Sequence, residues 1–265
     1  MVIKFFEVGA HNGAIIDEII KLAKSIGCDY QVIAFEPGAE ANAILHGKYK
    51  KDPKVKIYKL ALTDKTVDGV KLYHSNNTDG YSLCNTKWNV KTDKFENVST
   101  EKFSVFLATQ PKKQTGEFWL LDVDIEGSEY EFYPDLVDSG AYKEFDMIIG
   151  SLKDLRKIGK PEQEAEAFER WLKKFVTVVV VEPNNLENLE VVGRAIVEQT
   201  ATEGAVEESL TANPVPEQEP IQDVDRGQDF KDEDYPEIET IVAKAPAKST
   251  KPKRTITKKI KEVKR

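Results

Sequence analysis

Short apolar runs alternate with amphipathic stretches along roughly the first 195 residues. Val2 to Val8 reads as a strand. Gly13 to Ile26 sets Ile15, Ile16, Ile19, Ile20, Ala23 and Ile26 at helical spacing. Gln31 to Phe35 and Val55 to Leu60 read as the second and third strands. Trp119 to Ile125 reads as a fourth, apolar except for its acids. Ser128 to Val137 predicts a helix, with Ser128 and Glu131 in capping-box spacing. Phe145 to Ile149 is a fifth strand. Glu162 to Phe175 is a helix with Phe168, Trp171, Leu172 and Phe175 on one face, and Phe175 to Val181 is a sixth strand. Strand and helix in alternation predict right-handed crossovers and a mostly parallel sheet covered on both faces, an α/β sandwich. Val67 to Val105 breaks the rhythm. It reads as a hairpin plus a long loop, a place where function tends to concentrate.

Composition changes this picture beyond about Glu198. Residues 200–240 are acidic and rich in Pro, Glu and Asp, and residues 244–265 are basic. Neither block holds enough apolar surface to offset the entropy of ordering it. The expected organisation is a folded domain over 1–197 and a disordered tail over 198–265. The chain has 265 residues and a net charge of -8, which argues against nucleic acid as the partner of the whole chain. The basic block is the candidate contact for an anionic partner. Cys28 and Cys84 stand in no metal-ligand spacing and read as reduced thiols. There is no signal-peptide pattern and no apolar run of membrane-spanning length. The expected setting is cytoplasmic.

Three segments carry candidate chemistry. Glu7-Val8-Gly9-Ala10-His11-Asn12-Gly13 closes the first strand and opens a helix. Its two glycines allow a tight turn and close ligand approach. The three-glycine dinucleotide pattern is absent, and Glu7 before the turn suits a cationic ligand better than a diphosphate. Phe35-Glu36-Pro37 follows the second strand, where an acid can accept the hydroxyls of a ribose. In the third segment, Asp122 to Glu129, acids crowd the end of a central strand. Burying them is costly unless they are paired or serve a ligand. Hard cations favour such carboxylates, but no second carboxylate or amide cluster follows downstream, and the expected site has no metal. His11 is expected on the cofactor side of its turn, and His46 and His74 at the surface. Trp88, in the irregular loop, is the tryptophan placed to stack on a sugar.

The set E-V-G-A-H-N-G, A-F-E-P, A-L-T-D (Ala61 to Asp64) and D-I-E-G-S-E (Asp124 to Glu129), in this order, resembles the FkbM family of S-adenosylmethionine-dependent methyltransferases. Asp79-Gly80-Tyr81-Ser82-Leu83 is similar to its serine-rich loop. The resemblance covers roughly residues 3 to 182. It implies a Rossmann-like class I methyltransferase fold, S-adenosylmethionine as cofactor, and methyl transfer to a hydroxyl of a saccharide or small natural product. By this resemblance Glu7, Gly9, His11, Asn12, Gly13, Glu36, Ala61, Leu62 and Asp124 would hold the cofactor. Asp124, Glu126 and Glu129 are the candidate bases. Many members carry an acid and a histidine after the fifth strand, where this chain has Gly150-Ser151-Leu152-Lys153. The alternative is therefore a non-catalytic binding or interaction protein of the same fold.

Overall fold

The computed structural model describes residues 1–180, 189–199 and 201. The expected acidic and basic tail, from residue 202 onward, lies outside the described residues. The elements are β1 (Val2–Val8), α1 (Ala14–Ser25), β2 (Asp29–Phe35), α2 (Ala39–Tyr49), β3 (Val55–Tyr58), β4 (Ala61–Thr63), β5 (Val67–Ser75), β6 (Val90–Lys102), α3 (Phe103–Ala108), β7 (Glu117–Val123), α4 (Glu129–Asp138), β8 (Met147–Gly150), α5 (Glu162–Leu172) and β9 (Val178–Val180). A further helix, α6, spans residues 189–199.

The main sheet is parallel throughout, in the order β3-β2-β1-β7-β8-β9. Strand order reverses between β1 and β7, so the carboxyl ends of these two strands form the topological switch point of a Rossmann-like α/β fold. The two-residue period of each strand feeds two cores. Ile3 and Phe5 of β1, with Phe118 and Leu120 of β7, face α1, α2 and α6. Phe6 and Val8, with Trp119, Leu121 and Val123, face α3, α4 and α5. The second core is strongly aromatic, with Phe6, Phe35, Phe103, Phe132 and Phe145 in edge, tilted and stacked contacts. Lys4 is buried in β1 with its ammonium over the Trp119 ring, 4.3 Å from the centroid.

Several elements differ from the sequence reading. The third strand stops at Tyr58, and Ala61–Thr63 joins a separate sheet of order β4-β6-β5. Val67 to Val105 is a hairpin with a long connection, as expected, but its end is helical from Phe103. α2 carries no clean apolar stripe: Ala41, Asn42, Leu45 and Tyr49 are buried while Ile44 points outward. α6 buries Val192 and Ile196 against the first core. The Ser128–Glu131 capping box does not form. Glu129 instead ties down the turn before the helix, its carboxylate accepting the Ile125 N–H at 3.1 Å and the Gly127 N–H at 2.8 Å. No helix among the described residues is long and apolar enough to cross a membrane.

Candidate functional site

Gly9 ends β1 with φ +95°, a conformation that L side chains rarely adopt. A Cβ there would lie 2.1 Å from the Asp124 carbonyl oxygen, so the glycine lets the β1 turn press against the end of β7. The chain then runs through His11, itself at φ +44°, into the N-terminus of α1. Glu36, at the end of β2, is buried beneath this turn. Its carboxylate accepts the His11 N–H at 2.9 Å and the Gly38 N–H at 2.7 Å. Burial raises the Glu36 pKa and these two donors oppose the rise.

These turns border a cavity at the switch point. It is lined by Gly9, His11, Phe35, Glu36, Leu60, Ala61, Leu62, Asp124, Ile125 and Glu126, and on its outer side by Thr78, Asp79, Tyr81 and Leu83 from the β5–β6 connection. Four carboxylates line it, Glu36, Asp79, Asp124 and Glu126, and no lysine or arginine does among the described residues. Its long wall is apolar. That combination suits a flat apolar group attached to a positive charge, and it repels phosphates. The enclosed volume is ≈ 60 Å³, small beside the roughly 300–1,000 Å³ of ordinary ligand clefts. The Thr78–Tyr81 turn borders the cavity's outer side, where His11 Nε2 and Thr78 Oγ1 are hydrogen-bonded at 2.9 Å.

The structure gathers Gly9, His11, Glu36, Ala61, Leu62, Asp124 and Glu126 around this cavity and places other expected residues outside its lining. The Glu7 side chain is buried beside Asp122 on neighbouring strands. Asn12 is exposed, and its Oδ1 accepts the Ala14 N–H. Gly13 caps α1 and packs on Tyr49, whose hydroxyl donates to the Gly13 carbonyl at 3.0 Å. Glu129 is buried and its carboxylate serves backbone donors, although burial still pushes its pKa up to about 8. Asp124 is likewise raised by burial, with Lys153 as the main opposing charge. His46 is exposed as expected. His74 is half-buried, stacked on Tyr81 with ring centroids 4.2 Å apart.

Lys87, Asp154 and Lys157 were not anticipated. Lys87 lies in the β5–β6 connection, where a lysine reads as solvated, yet its side chain is 1% exposed. Its ammonium contacts the Glu126 carboxylate and lies 3.5 Å from Asp154, which Lys157 also pairs at 3.0 Å. Asp124, Glu126 and Asp154 bring carboxylate oxygens within 4.8 Å of one another. Lys87 and Lys157 compensate this charge from within the fold. Glu126 holds φ +58°, a strained conformation for a non-glycine residue. Trp88 stands beside this network and is 73% exposed. Its backbone N–H is anchored to the Lys157 carbonyl at 2.9 Å. A second groove at its foot is lined by Asn76, Asn77, Asp79 and Asn89, and it shares Asp79 with the main cavity.

Fold and site thus define a Rossmann-like α/β protein with an acidic, partly apolar cavity at its switch point. No protein-family model matches the chain, and no curated protein matches it. A crystal structure described as the methyltransferase FkbM from Methylobacillus flagellatus KT matches with a TM-score of 0.39 and 12% identity, over 65% of this chain. The match spans 37% of that structure's chain. The fold described above stands on strand order and register alone.

Proposed function

We propose that this protein binds S-adenosylmethionine in the switch-point cavity and transfers its methyl group to a hydroxyl of a saccharide or small natural product. The observation that carries this reading is the lining: four carboxylates, an apolar wall and no cationic side chain among the described residues. The donor set fits the cofactor. Glu36 keeps acceptor capacity toward a ribose after taking two backbone donors. Leu60, Ala61 and Leu62 offer an apolar wall to an adenine, and Asp124 offers negative charge to a sulfonium, the Glu126 charge being matched by Lys87. When bound, S-adenosylmethionine supplies an activated methyl group.

The chain's own part is orientation, exclusion of water and removal of a proton. Asp124 is the base we favour. It lines the cavity, its Oδ1 is buried without a hydrogen-bond partner, and its raised pKa brings it nearer to neutrality. The acceptor would approach over Trp88 and the groove at its foot, which meets the cavity at Asp79. The small enclosed volume favours a second reading, a binding protein that holds a ligand without turnover.

Calorimetry with S-adenosylmethionine, NAD and ATP tests the first step. The expected result is binding of the first alone, weakening as salt rises. Binding of either anionic nucleotide in its place would refute the reading. Labelled methyl transfer to hydroxylated small-molecule pools then separates catalysis from binding. Cofactor bound without transfer to any pool would select the second reading.

A further inference from the structure

Lys87 is the most deeply placed cation at the site. Its side chain is 1% exposed, and besides Glu126 and Asp154 it reaches the Gly80 carbonyl at 3.4 Å. The connection that carries it is fastened to the same corner at other points. Ser82 Oγ donates to the Glu126 carbonyl at 2.7 Å, and Thr86 Oγ1 donates to the Ile158 carbonyl at 2.6 Å. A buried ammonium is costly, and burial lowers the Lys87 pKa. Such a group persists where fixed carboxylates hold it, and here Glu126 and Asp154 do so.

Resting on the cofactor reading above, we propose that Lys87 is a positioning residue. Its ammonium holds the Glu126 carboxylate ionised and aimed along the cavity edge, and so fixes the charge that this edge presents to a cationic ligand. Glu126 is faced by Lys87 from the β5–β6 connection, Asp124 at the end of β7 and Asp154 from the 3₁₀ turn Lys153–Arg156, and the further charges acting on this carboxylate cluster are Glu129 at the start of α4, Lys153 and Lys157. With Lys87 present, the Glu126 charge is matched by an adjacent cation. Without it, an ionised Glu126 leaves the edge more negative by one charge. Protonating Glu126 cancels that change.

The test is Lys87→Met, which keeps length and packing. Affinities for S-adenosylmethionine and for the uncharged-sulfur product S-adenosylhomocysteine are measured at about pH 6 and pH 8.5. Preference for the cation should climb with pH about fivefold more in Lys87→Met than in the parent, the size expected of one unit charge acting across a partly wet cavity. The double variant Lys87→Met/Glu126→Gln should lose that extra rise. A merely structural lysine would weaken both ligands alike at both pH values, and that result would overturn the proposal. So would an extra rise that survives in the double variant.

If the parent binds neither ligand, the cofactor reading fails, and carboxyl NMR titration of Glu126 still decides the role of Lys87. The Glu126 midpoint should move to higher pH in Lys87→Met, and an unmoved midpoint refutes the proposal. Should Lys87→Met not fold, Glu126→Gln in the intact chain gives a further handle. The protected side-chain ammonium signal of Lys87 should then lose protection, and unchanged protection would count against the proposal.

Discussion

Glu7 and Asp122 are paired neighbours across the β1–β7 ladder, and both are buried. Burial is the main cause of their raised pKa values, and their mutual proximity adds to it for Glu7; Asp122 is pushed up to about 7. Free carboxyls in an unfolded chain titrate near roughly 4. The folded chain therefore binds protons here more tightly than the unfolded chain does. Stability from the pair is complete below that value and is lost as pH rises through the folded-state values. Glu7→Gln removes one of the two charges. Its thermal midpoint at about pH 8.5 should exceed the parent's by on the order of 5 °C, with little gain at about pH 5. Calorimetric scans at the two pH values check this, and an equal shift at both would rule out proton sharing.

Glu36 joins the fold to the proposed cofactor. Replacing it with alanine removes an acceptor from His11 and Gly38 as well as the expected ribose contact. Hydrogen bonds to a charged group contribute about 1.5–3 kcal/mol. Glu36→Ala should weaken S-adenosylmethionine by roughly ten- to a hundred-fold and lower the thermal midpoint by a few degrees. An unchanged dissociation constant with a lowered midpoint would assign Glu36 to the turns alone.

Gly9 gives a different kind of loss. The sequence suggests that a side chain here would fill ligand space. The structure instead sends it into the Asp124 carbonyl, from a backbone already at φ +95°. Gly9→Ala should therefore destabilise the fold by about 2–4 kcal/mol, read as a lower denaturant midpoint in the absence of any ligand. A variant of parental stability would show that β1 and β7 can part at this end.

His11 and Thr78 are hydrogen-bonded across the cavity lining, and breaking this bond is expected to ease ligand entry. Thr78→Val keeps the shape of the side chain and removes the hydroxyl. The association rate of S-adenosylmethionine should rise severalfold, with little change in midpoint because the bond is partly solvated. Stopped-flow fluorescence would follow this, and an unaltered rate would locate the slow step elsewhere.

Val192 and Ile196 of α6 are fully buried on the first core. Truncation near residue 200 should leave stability and cofactor affinity unchanged. Truncation near residue 182 should cost about 3–6 kcal/mol, since burying each such side chain is worth about 1.5–3 kcal/mol. Chemical denaturation of the two truncated chains decides it, and equal stability would show that α6 contributes nothing in solution.

Much of the architecture was legible because burial imposes a period. β1 has the bounds its apolar run predicts, and α1 carries its inward stripe without interruption. α2 was illegible because its inward positions include Asn42 while Ile44 faces solvent. Ser128 and Glu131 had the spacing of a cap, but spacing does not show where the side chains turn, and the acid that bonds backbone here is Glu129, which holds the turn before the helix. At the site, the glycine turn, Glu36 and the acids after β7 were visible because glycines and buried acids are costly to place without a purpose. Lys87 was invisible for the opposite reason. A lysine in a polar connection looks ordinary until folding carries it onto Glu126 and Asp154.

The hairpin has one more consequence. Ser75 and Val90 are partners in the β5–β6 ladder, so the chain leaves the small sheet and returns to it at one place. Everything between them, including Thr78, Tyr81 and Trp88, starts and ends at this one pairing, and between these ends it is tied back to β5 at Ser82 and to the corner at Ser82, Thr86 and Trp88. Such a segment behaves as a cassette. Its length and outer side chains can be exchanged by recombination or by design without re-registering a strand of the main sheet, provided that a lysine in the position of Lys87 still reaches the corner. Because Thr78, Asp79, Tyr81 and Leu83 of this segment line the main cavity, grafted 76–89 segments would change the outer wall of that cavity together with the groove at the foot of Trp88.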